Sequence, residues 1–314
     1  MVSLLGGVFL GWSLGANHAA NCFGSAVASR MVRFWTAAVL CAAFVVIGAL
    51  LEGHAGIETL SGLTAFDLEQ AVAITVAVAL AVTGMTWFNL PVSTSQGVVG
   101  AILGIGLLNQ QLNLASLEKV VICWIGTPFC ALAAACVLYK VLAVIYNRLK
   151  ISIFQLDILL RIGLIVVGSY ASYSLGANNV ANATAVFVGA GMLTVFQAAL
   201  IGGLSIAFGV LTYSRGVMET VGRKLVRLDP FSALIGVLAQ ALTVHFNAVV
   251  GVPISTTQAV IGAVLGVGLL KGAKTINRKM IYSIFTGWFL TPALACFIAI
   301  CIEFALHLKY IPHQ

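Results

Sequence analysis

Two hydroxyl-rich strings, "PVSTSQ" (Pro91 to Gln96) and "PISTTQ" (Pro253 to Gln258), each open an apolar run that would form a helix. Proline breaks a helix interior but is accepted just before or at a helix start. The hydroxyls behind it are cap-forming residues: Ser93, Thr94 and Ser95 in one copy, Ser255, Thr256 and Thr257 in the other. The first turn of such a helix presents free N–H groups and the positive end of its dipole, which suits an anion. Gln96 and Gln258 add amide donors one position later. Either string alone reads as an ordinary capped helix start. Two copies at equivalent places argue for a site.

A second pair of strings raises the same question. "SLGANHAAN" (Ser13 to Asn21) and "SLGANNVAN" (Ser174 to Asn182) set amides in otherwise apolar stretches. Backbone at membrane depth unwinds only where protein or a wet cavity satisfies its polar groups. The expectation is that Gly15 and Gly176 relax the chain, so that both helices break there. Asn17, Asn21, Asn178 and Asn182 would then turn paired donors and acceptors inward. The competing reading makes these asparagines glue between helices. Other glycines, such as Gly7, Gly11 and Gly15, or Gly100 with Gly104 and Gly262 with Gly266, recur at the four-residue spacing of closely packed membrane helices.

The elements that position these residues follow from composition. The chain has 314 residues, of which 61% are hydrophobic and 8% charged, against about 25% charged in a soluble domain. This is an all-α polytopic membrane protein. Apolar stretches occur at 34–52, 70–89, 91–108, 119–147, 160–175, 193–213, 230–250, 252–270 and 280–306, with a further one beginning at Met1. That first stretch has no Lys or Arg before Arg30, so it lacks the basic region of a signal peptide and is expected to be retained. The seven cysteines show no C-x-x-C spacing and read as packing residues, with no disulfide framework or metal site. The net charge of +7 falls in short loops, where the positive-inside rule explains it without nucleic acid.

The chain matches itself in order. Besides the two motif pairs, "WIGTP" (Trp124 to Pro128) repeats as "WFLTP" (Trp288 to Pro292), and the offsets are 161, 162 and 164. Residues 1–150 and 151–314 are therefore two repeats of one membrane domain. The loop at 52–69 carries Glu52, Glu58, Asp67 and Glu69, whereas its counterpart at 214–229 carries Arg215, Arg223, Lys224 and Arg227 against Glu219 and Asp229. The loop at 109–118 has no Lys or Arg, and its counterpart at 271–279 has Lys271, Lys274, Arg278 and Lys279. Opposite bias in equivalent loops places them on opposite sides of the membrane. The expectation is an inverted-topology repeat with broken or re-entrant helices, about 10 to 12 transmembrane segments, and a site near the midplane. Both termini would face outward, with the linker holding Arg148, Lys150 and Arg161 inside.

Function classes narrow accordingly. No H-E-x-x-H motif is present, and no Asp or Glu is expected in the middle of a span, so an enzyme is not indicated. The carboxylates that a divalent-cation carrier would use are missing from the apolar stretches. A passive anion channel would share the same helix tips.

These residues resemble the inorganic phosphate transporter family, whose hallmarks are a duplicated GAND-x-x-N segment and a duplicated P-[VI]-S-T-T-H/Q segment. Closest in character is its sulfate permease branch. The resemblance covers nearly the whole chain. It implies a multi-pass symporter of the cell membrane, often a homodimer, that carries a tetrahedral oxyanion with a driving cation and no cofactor. Carried over, the site would comprise Asn17, Asn21, Ser93, Thr94, Ser95, Gln96, Asn178, Asn182, Ser255, Thr256, Thr257 and Gln258.

The chain departs from the family at the acidic position, which is His18 in one copy and Asn179 in the other. In sodium-coupled members that Asp helps to coordinate sodium, so proton coupling is expected here, with sodium as the alternative. Hydrogen phosphate has a proton to donate and a carboxylate recognises it, whereas sulfate needs donors only. Loss of both carboxylates favours sulfate over phosphate. His18 titrates near neutrality and is the candidate proton carrier, with His245 the weaker one.

Overall fold

A computed structural model describes residues 2–87, 92–148, 152–224, 229–271 and 278–309. Among the described residues there are ten α-helices and no strand. In chain order they are α1 (Leu5–Ala28), α2 (Phe34–Ser61), α3 (Leu68–Trp87), α4 (Thr94–Leu108), α5 (Leu114–Arg148), α6 (Ile153–Gly189), α7 (Val195–Lys224), α8 (Pro230–Val249), α9 (Thr256–Lys271) and α10 (Arg278–Lys309). Asn89 and Pro91, which the sequence places before α4, lie outside the described residues, as does the junction between the two repeats.

Seven of the helices are long and apolar enough to cross a membrane. Two others, α4 and α9, have only 15 and 16 residues. At 1.5 Å per residue each reaches about 22–24 Å, short of a hydrocarbon core of about 30 Å. The short helices thus begin inside the bundle, each behind a non-helical segment at 92–93 or 252–255.

The expected breaks at the asparagine motifs do not occur. Helix α1 runs unbroken through Gly15 to Asn21, and α6 through Gly176 to Asn182. The amides stay compatible with the helix because Asn17 and Asn179 donate to the carbonyls of Ser13 and Leu175, one turn back. The glycines serve contact. A Cβ on Gly15 would lie 1.9 Å from the Ile206 carbonyl oxygen of α7, and one on Gly176 would lie 2.0 Å from that of Val45 of α2. The helices also outrun the sequence estimate at 52–69. There α2 continues to Ser61, so Glu52 and Glu58 are helical rather than in a loop.

Packing is reciprocal between the halves. Helix α1 lies on α7 as α2 lies on α6, and α4 lies on α10 as α9 lies on α5. The crossings match residue for residue. A Cβ on Gly48 would meet the Tyr173 carbonyl at 2.0 Å, and one on Gly209 would meet that of Trp12 at 1.9 Å. A Cβ on Gly100 would meet the Pro292 carbonyl at 2.3 Å, and one on Gly262 would meet that of Pro128 at 2.2 Å. Each of these glycine-to-carbonyl crossings joins one half of the chain to the other, so the two halves interleave.

Caps repeat as well. Asp67 Oδ1 accepts from the Gln70 N–H at 2.9 Å to start α3, and Asp229 Oδ1 accepts from the Ser232 N–H at 3.0 Å to start α8. Asp229 also takes the Lys271 ammonium from the last turn of α9. Burial works against the charged form of Asp229, but Lys271 and the Ser232 donors outweigh it and hold the carboxyl below its ordinary value. Glu303 is buried on α10 and accepts from Gln70 Nε2 at 2.9 Å.

Gly176→Val should cost about 1–3 kcal/mol or more through the backbone it meets. Gly126→Ala, with nothing within 4 Å of its added Cβ, should be neutral or slightly stabilising. Thermal unfolding of the purified variants in detergent measures both, and equal losses would refute the packing role of Gly176.

Candidate functional site

The tips of α4 and α9 meet in the interior. Ser93 caps α4 from an extended conformation, its Oγ accepting from the Gln96 N–H at 3.4 Å. Ser255 Oγ does the same for the Gln258 N–H at 3.3 Å. Each tip then holds the segment leading into the other. The Ser95 hydroxyl donates to the Ile254 carbonyl at 2.9 Å, and the Thr257 hydroxyl donates to the Val92 carbonyl at 3.4 Å. Ser93, Ser95, Gln96, Ser255 and Gln258 are each at most 3% exposed, and Thr94 and Thr256 are buried beside them. Two positive helix ends are thereby fixed close together in a buried place.

The asparagine helices close around these tips. Asn178 grips Ile254 from both sides: its Nδ2 donates to the carbonyl at 2.9 Å, and its Oδ1 accepts from the N–H at 2.9 Å. Asn182 Nδ2 donates to Ser95 Oγ at 2.9 Å and to Asn179 Oδ1 at 3.1 Å. From the first half, His18 Nδ1 lies 3.2 Å from Asn21 Nδ2 and 3.1 Å from Thr256 Oγ1. Both neighbours can donate, which makes Nδ1 the acceptor nitrogen of a neutral imidazole.

Asn17 is the exception among the expected residues. It is exposed and turned back to its own helix, donating to the Ser13 carbonyl at 3.1 Å. Its counterpart Asn178 is buried and engaged. The two copies of the motif are therefore in different states, although their sequences match. The structure also adds a residue that sequence reasoning missed. Gln240 is buried on α8, and its Nε2 donates to the Asn21 carbonyl at 2.6 Å. A glutamine in the middle of the apolar stretch 230–250 was the visible sign. His245, the weaker proton candidate, is not at this site but pairs with Glu52.

Among the described residues, the side-chain oxygens of Gln96, Gln258, Asn182 and Gln240 are buried without a hydrogen-bond partner. A primary amide presents either its oxygen or its NH2 group by a half-turn, so these four side chains can serve a negative or a positive guest. A cavity of about 430 Å³ lies against Gln96 and Gln258, walled by Trp124, Pro128 and Phe129 of α5 and by Trp288, Phe289 and Pro292 of α10. Its walls are apolar apart from the two amides and the two indoles, so holding an ion falls to the helix tips. None of the side chains gathered at the tips is a carboxylate.

The pattern that defines the phosphate transporter family matches residues 14–299, which takes in both asparagine motifs and both helix tips. The chain belongs to that family. It is a multi-pass integral membrane transporter of an inorganic anion, not an enzyme. It is 29% identical over 295 residues to "Putative phosphate permease MJ0630" of Methanocaldococcus jannaschii, covering 94% of both chains. It is 29% identical over 303 residues to the sulfate permease CysP of Bacillus subtilis, covering 94% of this chain and 84% of that one. A solved structure described as the sodium-dependent phosphate transporter shares the fold, with a TM-score of 0.85, 24% identity and coverage of 98% of this chain and 100% of that one.

Asn178→Ala strips the Ile254 N–H of its partner in a buried place and should cost about 1–3 kcal/mol. Asn17→Ala, losing only a bond to its own helix, should stay within about 0.5 kcal/mol. Thermal unfolding in detergent separates the two, and equal losses would contradict the asymmetry.

Proposed function

We propose that this protein is a symporter that imports a tetrahedral oxyanion, sulfate in preference to phosphate, together with protons. The observation that carries the reading is the chemistry of the family's acidic position. His18 and Asn179 stand there, bonded to Thr256, Asn21 and Asn182 around the helix tips. An oxyanion at the tips would be held by first-turn N–H groups, by hydroxyls and by amide NH2 groups. That donor set meets sulfate fully and offers no carboxylate to accept the proton of hydrogen phosphate. The 29% identity to a sulfate permease accords with it.

Moving a dianion into a negative interior costs about 2.3 kcal/mol per charge per 100 mV, so cations must travel with it. His18 touches the α9 tip through Thr256, and there it would carry one proton beside the anion. Opposite charge bias in equivalent loops and reciprocal packing of the halves support inverted repeats. In that arrangement the tips are reached from one side and then from the other.

Reconstituted in liposomes, the protein should accumulate labelled sulfate against its gradient when a proton gradient is imposed, and His18→Ala should abolish this uptake. Preferred phosphate uptake that depends on a sodium gradient would replace this reading with a sodium-coupled phosphate carrier. Saturable but purely downhill flux would mean a channel. Introducing a carboxylate by Asn179→Asp should move selectivity toward phosphate by about tenfold, equivalent to about 1.4 kcal/mol, in competition assays with the two anions.

A further inference from the structure

Away from the helix tips, polar side chains from α2, α6 and α8 meet. His245 of α8 donates from Nε2 to the Glu52 carboxylate of α2 at 2.6 Å, and the Tyr170 hydroxyl of α6 donates to His245 Nδ1 at 2.6 Å. The rings of Tyr170 and Tyr173 stand edge-on to the imidazole, with centroids 5.4 and 5.5 Å away. The His245 and Glu52 side chains are 24% and 29% exposed, neither open nor sealed.

The duplication does not account for this cluster. Offsets of 161 and 162 relate Glu52 to Tyr213, Tyr170 to Phe9, Tyr173 to Trp12 and His245 to Thr83. At those positions Phe9 stacks on Trp12 at 5.7 Å and Trp12 packs on Tyr213 at 5.5 Å. The equivalent place is therefore filled by aromatic contacts, with no group that titrates near neutrality. A carboxylate and an imidazole are costly on membrane-crossing helices and mark function by default. Aromatic packing meets the structural need in the other copy, so that need does not explain the pair.

The cluster is also joined to the α9 tip. Nine residues after His245 comes Ile254, which Asn178 grips from the same helix that carries Tyr170 and Tyr173. Gly251, between them, approaches Ala55 of α2. The titratable groups at the cluster are Glu52, Tyr170, Tyr173 and His245. Beyond them is Lys119 of α5, whose ammonium donates to the Val250 carbonyl at 2.7 Å.

We infer that Glu52, His245 and Tyr170 form a proton-binding site apart from the anion site, which takes up a second proton for each dianion carried. This rests on the proton-coupled reading above. In the unloaded cluster His245 is neutral and Glu52 ionised, so the net charge is −1. The incoming proton bonds to Nδ1, the Tyr170 hydroxyl turns its hydrogen away and accepts, and Nε2–H stays on Glu52. The loaded cluster is neutral, and release reverses the step. Neutralising it removes a like charge from the surroundings of a bound dianion, so proton and anion favour each other's binding. One proton on His18 and one here balance the two charges of sulfate.

The full-length wild type, Glu52→Gln and His245→Gln are compared in liposomes. Labelled-sulfate counterflow, which needs no proton gradient, should persist in both variants. With one pH unit across the membrane and no voltage, each coupled proton multiplies steady-state accumulation about tenfold. The variants should therefore reach about one-tenth of the wild-type accumulation, and their uptake should be slowed by an inside-negative potential that leaves the wild type unaffected. Accumulation equal to wild type in both variants would overturn the inference, as would wild-type uptake that is indifferent to the proton gradient.

A second measurement does not depend on transport. In 15N-histidine-labelled protein the His245 signal should take up a proton as the pH is lowered, with a midpoint raised by sulfate, and Tyr170→Phe should shift that midpoint while keeping the fold. A His245 that stays neutral throughout would overturn the inference. Absent wild-type counterflow of both sulfate and phosphate would strike the function proposed above, and the titration of His245 would still decide the proton site.

Discussion

A helix that starts inside a membrane protein leaves its first N–H groups without partners, and no lipid can supply them. Helices α4 and α9 both start this way, and most of the fold serves that fact. Ser93 and Ser255 satisfy one N–H each, while Ser95 and Thr257 tie each tip to the strand of backbone leading into the other. What remains is a pair of electropositive ends facing one small volume. A guest held by those helix ends supplies negative charge or acceptor atoms, which is the physical basis of anion handling in this chain.

Holding two helix ends together requires a frame that does not yield, and the glycine crossings supply it. Six glycines sit where a methyl group would fall within 2.3 Å of a carbonyl oxygen on a helix of the other half. Such close approach maximises dispersion and Cα–H contacts where no hydrophobic driving force acts between helices. Because each of these contacts crosses between halves, neither half presents a complete surface without the other. The frame therefore fixes how the two motif copies face one another, and side chains at the tips are free to differ.

Much of this was legible in the sequence. Apolar stretches marked the ten helices, and the self-match located both tips, because burial in lipid forces composition and duplication preserves order. The continuity of α1 and α6 was not legible. Asn17, His18 and Asn21 look like a break until the partner helix that approaches Gly15 is known. Glu52 read as part of an acidic loop because nothing local reveals that α2 carries it to within reach of His245. The difference between Asn17 and Asn178 could not be read at all: near-identical strings specify the same options and leave open which copy exercises them.

That difference has a thermodynamic consequence. Asn178 holds the backbone of Ile254 by two bonds, while Asn17 leaves Val92 to the Thr257 hydroxyl. A rearrangement that released the first amide and docked the second would trade like bonds for like, at the equivalent position of the other half. The two arrangements would then be near-degenerate, and a small bias from an occupant of the chamber would suffice to choose between them.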